Sequence, residues 1–496
     1  MSVVCQRVGI PKKESVLGEP NGTDTSGVTA GLAGHDRLAE LVPVALAGLA
    51  AGTAERGGAA PAGGPAAVAA QLAAALPDGL LPAEGVGERA ALSELSTLLA
   101  AGSVDPAQPW CAAHLHCPPL AVAVAADVVA GALNPSMDSW DQAPVASELE
   151  RALTTAVAGL CYPGAPGADA VVTSGGTESN LVGLLLAREH AGPGLRVVRG
   201  ANAHHSVARA AWLLGLPAPV VVGCERDRMV PSALAACLSE VDGPAVVVAT
   251  AGTTNTGAVD PLRDLARVCR EHGAQLHVDA AYGGPAVCEP TLAGLLDGMG
   301  EADSVALDLH KFGWQPISAG LLACRDPRRL DALTVRADYL NAADDTEAGL
   351  PDLLGRSIRT SRRPDAFRMA VTFRALGVRG MGELVRRCCA TAAEVAAAVA
   401  AHPALRLWGE PALSTVVFRP AVGATADELV ATARRTLLES GTAVVGRAAL
   451  PTGPDGADEL WLKLTLLHPH ATAADYLPLL DVIAAAAAPV GEQVPS

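Results

Sequence analysis

From Ala170 the chain repeats one pattern. A short run of β-branched apolar residues is followed by a longer Ala/Leu-rich stretch with helical spacing. The runs are DAVVTS, LRVVRG, APVVVG, PAVVVAT, QLHVDA, DSVALDL and GLLAC. They are apolar throughout and too short for helices. This predicts strands buried on both faces of a mainly parallel sheet, with helices in the crossovers: an α/β fold. Before this region the pattern is helical. HDRLAELVPVALAGLAAGTA is followed by a Pro/Gly break, ERGGAAPAGGPA, and helical spacing returns from about Val68. Past residue 380 or so come a long helix (MGELVRRCCATAAEVAAAVAAH), a strand pair (STVVFRP and LWLKLTLL) and closing helices. These predict a smaller α+β domain. Residues 1–35 are rich in Gly, Ser, Thr and charge without periodicity, and read as a flexible tail. The expected organisation is a tail (1–35), a helical segment (36–145), a large α/β domain (146–385) and a small C-terminal domain (386–496). No internal repeat is visible.

Composition narrows the classes. At 496 residues, half of them hydrophobic and 18% charged, the chain can bury a large core. A net charge of −16 argues against nucleic acid or an anionic membrane as the main partner. No run reads as a membrane span of about 20 apolar residues, and the N-terminus shows no signal-peptide core. The cysteines number 11, an odd count without regular spacing, which predicts free thiols in a reducing compartment and a cytoplasmic protein.

Lysine usage raises the first chemical question. Lys12, Lys13, Lys311 and Lys463 are the only lysines, and arginine supplies the rest of the 36 basic residues. A position that tolerates arginine would be expected to hold one. Lys311, in ALDLHKFGWQ, therefore points to chemistry that needs an amine able to lose its proton and form an imine. Three other stretches fall at predicted carboxyl ends of strands, where α/β folds bind ligands. TSGGTESN (Thr173–Asn180) places glycines and hydroxyls at a helix N-terminus, an anion site or a plain helix cap. NAHHSVARAA (Asn202–Ala211) opens a helix with two histidines and Ser206. LHVDAAYGG (Leu276–Gly284) ends a strand on Asp279, a turn cap or the partner of a buried cation. Each has a bland reading. Together they supply what pyridoxal 5'-phosphate (PLP) needs: a phosphate cradle, a carboxylate for the pyridinium nitrogen and a lysine for the aldehyde. Cys111, His114, His116 and Cys117 have metal-like spacing, but no second ligand cluster completes them, so no metal is expected.

With these motifs the chain resembles the group II PLP-dependent amino acid decarboxylases, from about Trp110 to about Arg387. AHLHCPPL, NPSMDSWDQAP, HKFGWQPIS and ADYLN look most like the bacterial L-2,4-diaminobutyrate and siderophore lysine decarboxylases within that family. The resemblance implies the PLP-dependent transferase fold type I, aspartate aminotransferase-like, and a homodimer whose segment 36–145 packs on the partner subunit. It also assigns roles. Lys311 would bind the cofactor aldehyde. Asp279 would pair with the pyridinium nitrogen. His204 would stack on the ring, with Ala281 on the opposite face. Gly176 and Thr177 would hold the phosphate, with Ser206 a weaker candidate. Thr253 would lie at the cofactor's edge, and His310 would shape the lysine's surroundings. Tyr339, on a polar loop expected to close over the site, would protonate the α-carbon after CO2 leaves. Arg362 and Arg363 look like the family's paired arginines and could structure the site or neutralise phosphate and carboxylate, with Arg363 the substrate-binding candidate. His116 and Asp138, with Asp141 as an alternative, would line the substrate pocket, the acidic segment reaching in from the partner. One departure is Asp308, where many members have asparagine. An acid near a phosphate must be paired or turned away.

The expected activity is decarboxylation of an L-amino acid, best a basic diamino acid such as 2,4-diaminobutyrate, lysine or ornithine. The alternatives are a neutral or aromatic substrate, or aldehyde synthesis or aminotransfer on the same fold. A cofactor-bound pseudoenzyme remains as a non-enzymatic class.

Overall fold

A computed structural model describes residues 31–487 apart from 193, 338, 422–425 and 453–455. Residues 1–30 of the expected tail lie outside the described residues.

The helical N-terminal part comprises α1 (His35–Arg56), α2 (Gly64–Ala75), α3 (Glu88–Ala101), α4 (Ala121–Leu133) and α5 (Pro144–Cys161). Small residues let α1 lie close against α3. A Cβ at Gly52 would stand 2.2 Å from the Thr97 carbonyl, so only glycine permits this approach. By length and apolarity alone α1 could cross a membrane, contrary to the expectation that no segment would. In the structure it lies along α3.

Strand β1 (Asp169–Thr173) leads into α6 (Gly176–Ala191), and β2 (Arg196–Gly200) into α7 (His205–Leu213). Strand β3 (Val220–Val222) precedes a small hairpin of β4 (Cys224–Glu225) and β5 (Arg228–Met229). Then come β6 (Ala245–Thr250), β7 (Gln275–Ala280), β8 (Ser304–Asp308) and β9 (Gly320–Cys324). The seven-stranded sheet has the order β1-β9-β8-β7-β6-β2-β3. Strands β8, β7, β6, β2 and β3 pair in parallel, while β9 runs antiparallel to both β8 and β1. The reversal has a simple cause. A parallel return needs a crossover of a dozen or more residues, usually helical, and residues 309–319 between β8 and β9 contain no helix. That non-helical connection carries Lys311. Every residue of β6, β8 and β9 is buried, as their unbroken apolar pattern predicts. Each buried Val or Leu contributes about 1.5–3 kcal/mol relative to exposure.

The C-terminal sheet is four-stranded and antiparallel: β10 (Leu405–Leu407), β11 (Thr415–Pro420), β13 (Asp458–Thr465) and β12 (Gly446–Pro451), in that order. The expected strand pair is β11 and β13. The flanking strands escaped the pattern because β10 is only three residues long and β12, GRAALP, is built of weak strand formers.

Candidate active site

The carboxyl ends of β1, β6, β7 and β8 open on a cavity of about 590 Å³. At one end lies the N-terminus of α6. Gly175, with φ +147°, turns the chain from β1 into the helix. A Cβ at Gly175 would lie 2.9 Å from His310 Cε1, and one at Gly176 would lie 2.8 Å from Ala281 Cβ. Glycine at both positions permits this close packing, the Gly175 N–H donates to Thr173 Oγ1, and Gly176 and Thr177 at the first turn of α6 line the cavity, where the helix dipole favours an anion.

The cavity floor is a hydrogen-bonded chain of buried side chains. Asn180, on α6, donates from Nδ2 to Asp279 Oδ2 and to Ser206 Oγ, each at 2.8 Å. Asn180 Oδ1 stands 2.9 Å from His277 Nε2, and His277 Nδ1 stands 2.8 Å from Ser304 Oγ. Burial pushes the His277 imidazole down to about 4, so it is neutral at pH 7. With the Asn180 amide so oriented, His277 donates from Nε2 and accepts from Ser304. The other carboxylate oxygen of Asp279 accepts from the Ala281 N–H at 3.1 Å. At the near end, Ser206 Oγ lies 2.8 Å from His204 Nδ1. Burial also lowers the His204 pKa, leaving a neutral ring that faces the cavity.

Lys311 Nζ is 2.8 Å from Asp308 Oδ2, and His310 Nε2 is 3.6 Å from the same oxygen. The acid that departs from the expected family pattern is therefore paired with Lys311. Its second oxygen is buried without a hydrogen-bond partner.

Several sequence assignments move. Thr253 does not line the cavity; its hydroxyl donates to Asp227 on the β4–β5 turn. Thr250, three residues earlier, does line it, with a buried hydroxyl that lacks a partner. Ser206 belongs to the floor and not to the phosphate cradle, because its hydroxyl already serves Asn180 and His204. Arg363 lies outside the cavity, bonded to Asp127 at 2.8 Å. Arg362 is buried in a bidentate pair with Glu150, at 2.6 and 2.7 Å. Asp138 is buried and accepts from Gln142 at 2.9 Å, whereas Asp141 is exposed. Tyr339 is 82% exposed and lines a separate surface hollow. It is followed by the short helix Ala343–Glu347, none of whose residues is buried, before Leu353, Leu354 and Ser357 return the chain to the interior. His116 and His114 both line the cavity, and burial lowers the pKa of each. Among the described residues no group of three or more His, Cys, Asp or Glu is placed to hold a metal ion, and ten cysteines are free thiols. Asn180, His277, Thr250 and Lys463 had no assigned role, although Asn180 closes the TSGGTESN stretch and Lys463 is one of the four lysines.

Comparison with known proteins decides the family. The pyridoxal-dependent decarboxylase conserved domain matches residues 76–421. The chain belongs to the pyridoxal-dependent decarboxylase family. It is 38% identical over 417 residues to the L-2,4-diaminobutyrate decarboxylase of Rhizobium meliloti (strain 1021), covering 81% of this chain and 83% of the relative. It is 32% identical to the acidic amino acid decarboxylase of Mus musculus, over 60% of this chain and 57% of the relative. Its structure resembles the glutamate decarboxylase domain of a diaminobutyrate-pyruvate transaminase and L-2,4-diaminobutyrate decarboxylase from Vibrio parahaemolyticus. The TM-score is 0.80 at 29% identity, covering 93% of this chain and 97% of the other.

The protein is thus a PLP-dependent amino acid decarboxylase of fold type I, and the cavity fits that cofactor. Its glycine-lined helix N-terminus suits a phosphate, the partnerless Thr250 hydroxyl awaits an acceptor or donor, and Asp279 and Lys311 stand in one cavity.

Proposed function

We propose that the protein is a homodimer that decarboxylates a basic diamino acid, L-2,4-diaminobutyrate first among them, to the corresponding amine and CO2. The observation that carries the substrate is the 38% identity across four fifths of both chains to a diaminobutyrate decarboxylase. Support for the dimer comes from apolar side chains left in solvent on α1 and α4: Leu46, Leu49, Val124, Val128, Val129 and Leu133 are 41–75% exposed. Such faces mark protein contacts, and most soluble oligomers are symmetric homo-oligomers.

When bound, PLP supplies the electron-accepting ring into which the electrons of the cleaved bond pass. The chain's residues hold that ring and manage protons. Asp279, fixed by Asn180 and the Ala281 N–H, offers a carboxylate that keeps a proton on the ring nitrogen. His204 stays neutral and serves as a flat face for stacking. Lys311 supplies the amine for the aldehyde, and Asp308 stands beside it to pair with its ammonium form. Tyr339, once its loop closes, delivers the proton to the α-carbon. The acids that line this chain's cavity, Asp279 and Asp308, are both engaged at the cofactor end. The distal ammonium of a diamino acid therefore takes its carboxylate from the Ser136–Pro144 segment of the second copy. Exposed Asp141 suits that role better than Asp138, which already bonds Gln142.

The test is CO2 release by the PLP-loaded protein from L-2,4-diaminobutyrate, lysine and ornithine against glutamate, cysteine sulfinate, tyrosine and valine. Turnover confined to the diamino acids is expected. Turnover confined to an acidic, aromatic or neutral amino acid would overturn the substrate and leave the reaction class standing.

A further inference from the structure

Of the four lysines, Lys12 and Lys13 lie near the N-terminus. Lys311 and Lys463 line one cavity, Lys311 from the connection after β8 and Lys463 from β13 of the small domain. Chemistry at the cofactor's aldehyde accounts for Lys311 alone.

Lys463 is 6% exposed, and its Nζ donates to the backbone carbonyl of Thr254. The small domain makes room for it. The cross-strand partner of Lys463 is Gly446, where a Cβ would stand 2.9 Å from the lysine Cγ and 3.0 Å from its Cε. The placement is costly for a charge. Burial pushes the ammonium down to about 8, with Asp227 opposing the shift. An apolar residue would fill the same space without that cost, so the amine must do something a methylene cannot.

What it touches is the loop Ala251–Gly257, which follows Thr250 at the end of β6 and whose Gly252 and Thr254 line the cavity. From the other side Asp227 accepts from the hydroxyls of Thr253 and Thr256. Among the described residues no other side chain of the small domain hydrogen-bonds to this loop. The loop is therefore pinned between the β4–β5 turn and the small domain.

We propose that Lys463 is a positioning residue. It ties the loop Ala251–Gly257 to the small domain and so holds Gly252 and Thr254 in place in the cavity wall they share with Asp279 and Lys311, for the cofactor. A guanidinium cannot do this. It is planar and wide, whereas the space left by Gly446 takes an unbranched stem ending in a compact amine. The inference rests on the cofactor assignment and is independent of the substrate.

The experiment compares the full-length wild type with Lys463→Met, which keeps an unbranched stem and removes the donor, and with Gly446→Ala, which displaces the stem and keeps the amine. Two readouts avoid turnover: amide hydrogen exchange of residues 251–257 in the cofactor-free protein, and the PLP dissociation constant. For Lys463→Met we expect exchange in the loop to quicken and the dissociation constant to rise, each about tenfold, as the loss of one buried hydrogen bond implies. Exchange in β6 and β7 should hold at wild-type rates. Gly446→Ala should move both readouts in the same direction by less. Wild-type loop exchange and wild-type PLP affinity in Lys463→Met would overturn the proposal. If that variant does not fold, the same null result in Gly446→Ala overturns it. A wild type that fails to bind PLP would refute the cofactor assignment instead, and is told apart by that measurement alone.

Discussion

The cavity floor and the Tyr339 loop are built in opposite ways. The floor is made of buried strand ends and the first turns of α6 and α7. Each polar atom of Asn180 has a partner, and Asp279 is held at both oxygens. In the stretch around Tyr339 the short helix Ala343–Glu347 has no buried residue, and the tyrosine is 82% exposed. A site that must fix a cofactor benefits from a rigid, satisfied network. A site that must admit a substrate and then exclude water needs an element of low local stability. On the function proposed above, one chain would complete the cofactor half of the site, and the substrate half would be completed by loop closure and a second copy.

The largest effect should come from the amine proposed to bind the cofactor, Lys311. Lys311→Ala should abolish CO2 release while leaving the fold intact, and the cofactor absorbance that depends on a lysine linkage should vanish. Retained turnover in that variant would break the assignment of roles. Next comes the loop. Tyr339→Phe should slow CO2 release by about 10²–10⁴-fold, the usual contribution of a positioned proton donor, with PLP affinity unchanged. Aldehyde appearing in place of amine would sharpen the case that this hydroxyl chooses the reaction's outcome. An equal loss of cofactor affinity would erase the distinction between the two regions.

Asn180→Leu attacks the floor without touching the cofactor's own contacts. It leaves Asp279 and His277 each short of a buried partner and should cost about 1–3 kcal/mol of stability per orphaned group. Denaturant unfolding measures this, and the PLP dissociation constant should rise in parallel. The smallest expected effect is the pH response of Lys463. Its amine sits at about 8 in the folded protein and at about 10.5 when unfolded. Between those values the unfolded chain binds the extra proton, so stability rises with pH, by about 1.4 kcal/mol per unit at most. Wild type should gain on Lys463→Met from pH 8 to 10. Parallel pH profiles would contradict a buried ammonium.

The sheet was readable because its strands are buried on both faces, so β6 and β8 announce themselves as unbroken apolar runs. The edge strand β12 did not, since its Gly and Ala are chosen to fit what lies opposite, such as the Lys463 stem. That Lys311, Asp279, His204 and Gly176 would meet in one cavity was legible because each sits in a local motif at the end of a strand. TAGTTNTG offers four threonines, and nothing in the local pattern tells that Thr250 and Thr254 line the cavity while Thr253 turns to Asp227. His277 looked like a strand residue, and nothing local reveals that it reaches across to Asn180, 97 positions away. Arg363 read as an anion ligand, but Asp127, far off in sequence, takes its guanidinium.

The contrast between the two halves is tested most directly by complementation. Lys311→Ala destroys the cofactor half, and Asp141→Ala removes the proposed contribution to the neighbour's substrate half. Each variant alone should turn over L-2,4-diaminobutyrate poorly at low substrate. Co-expressed and purified together, the two should recover activity in about a quarter of all sites, since half of randomly formed dimers are mixed and each carries one intact site. Activity no greater than the average of the separate variants would contradict a substrate half completed by the second copy.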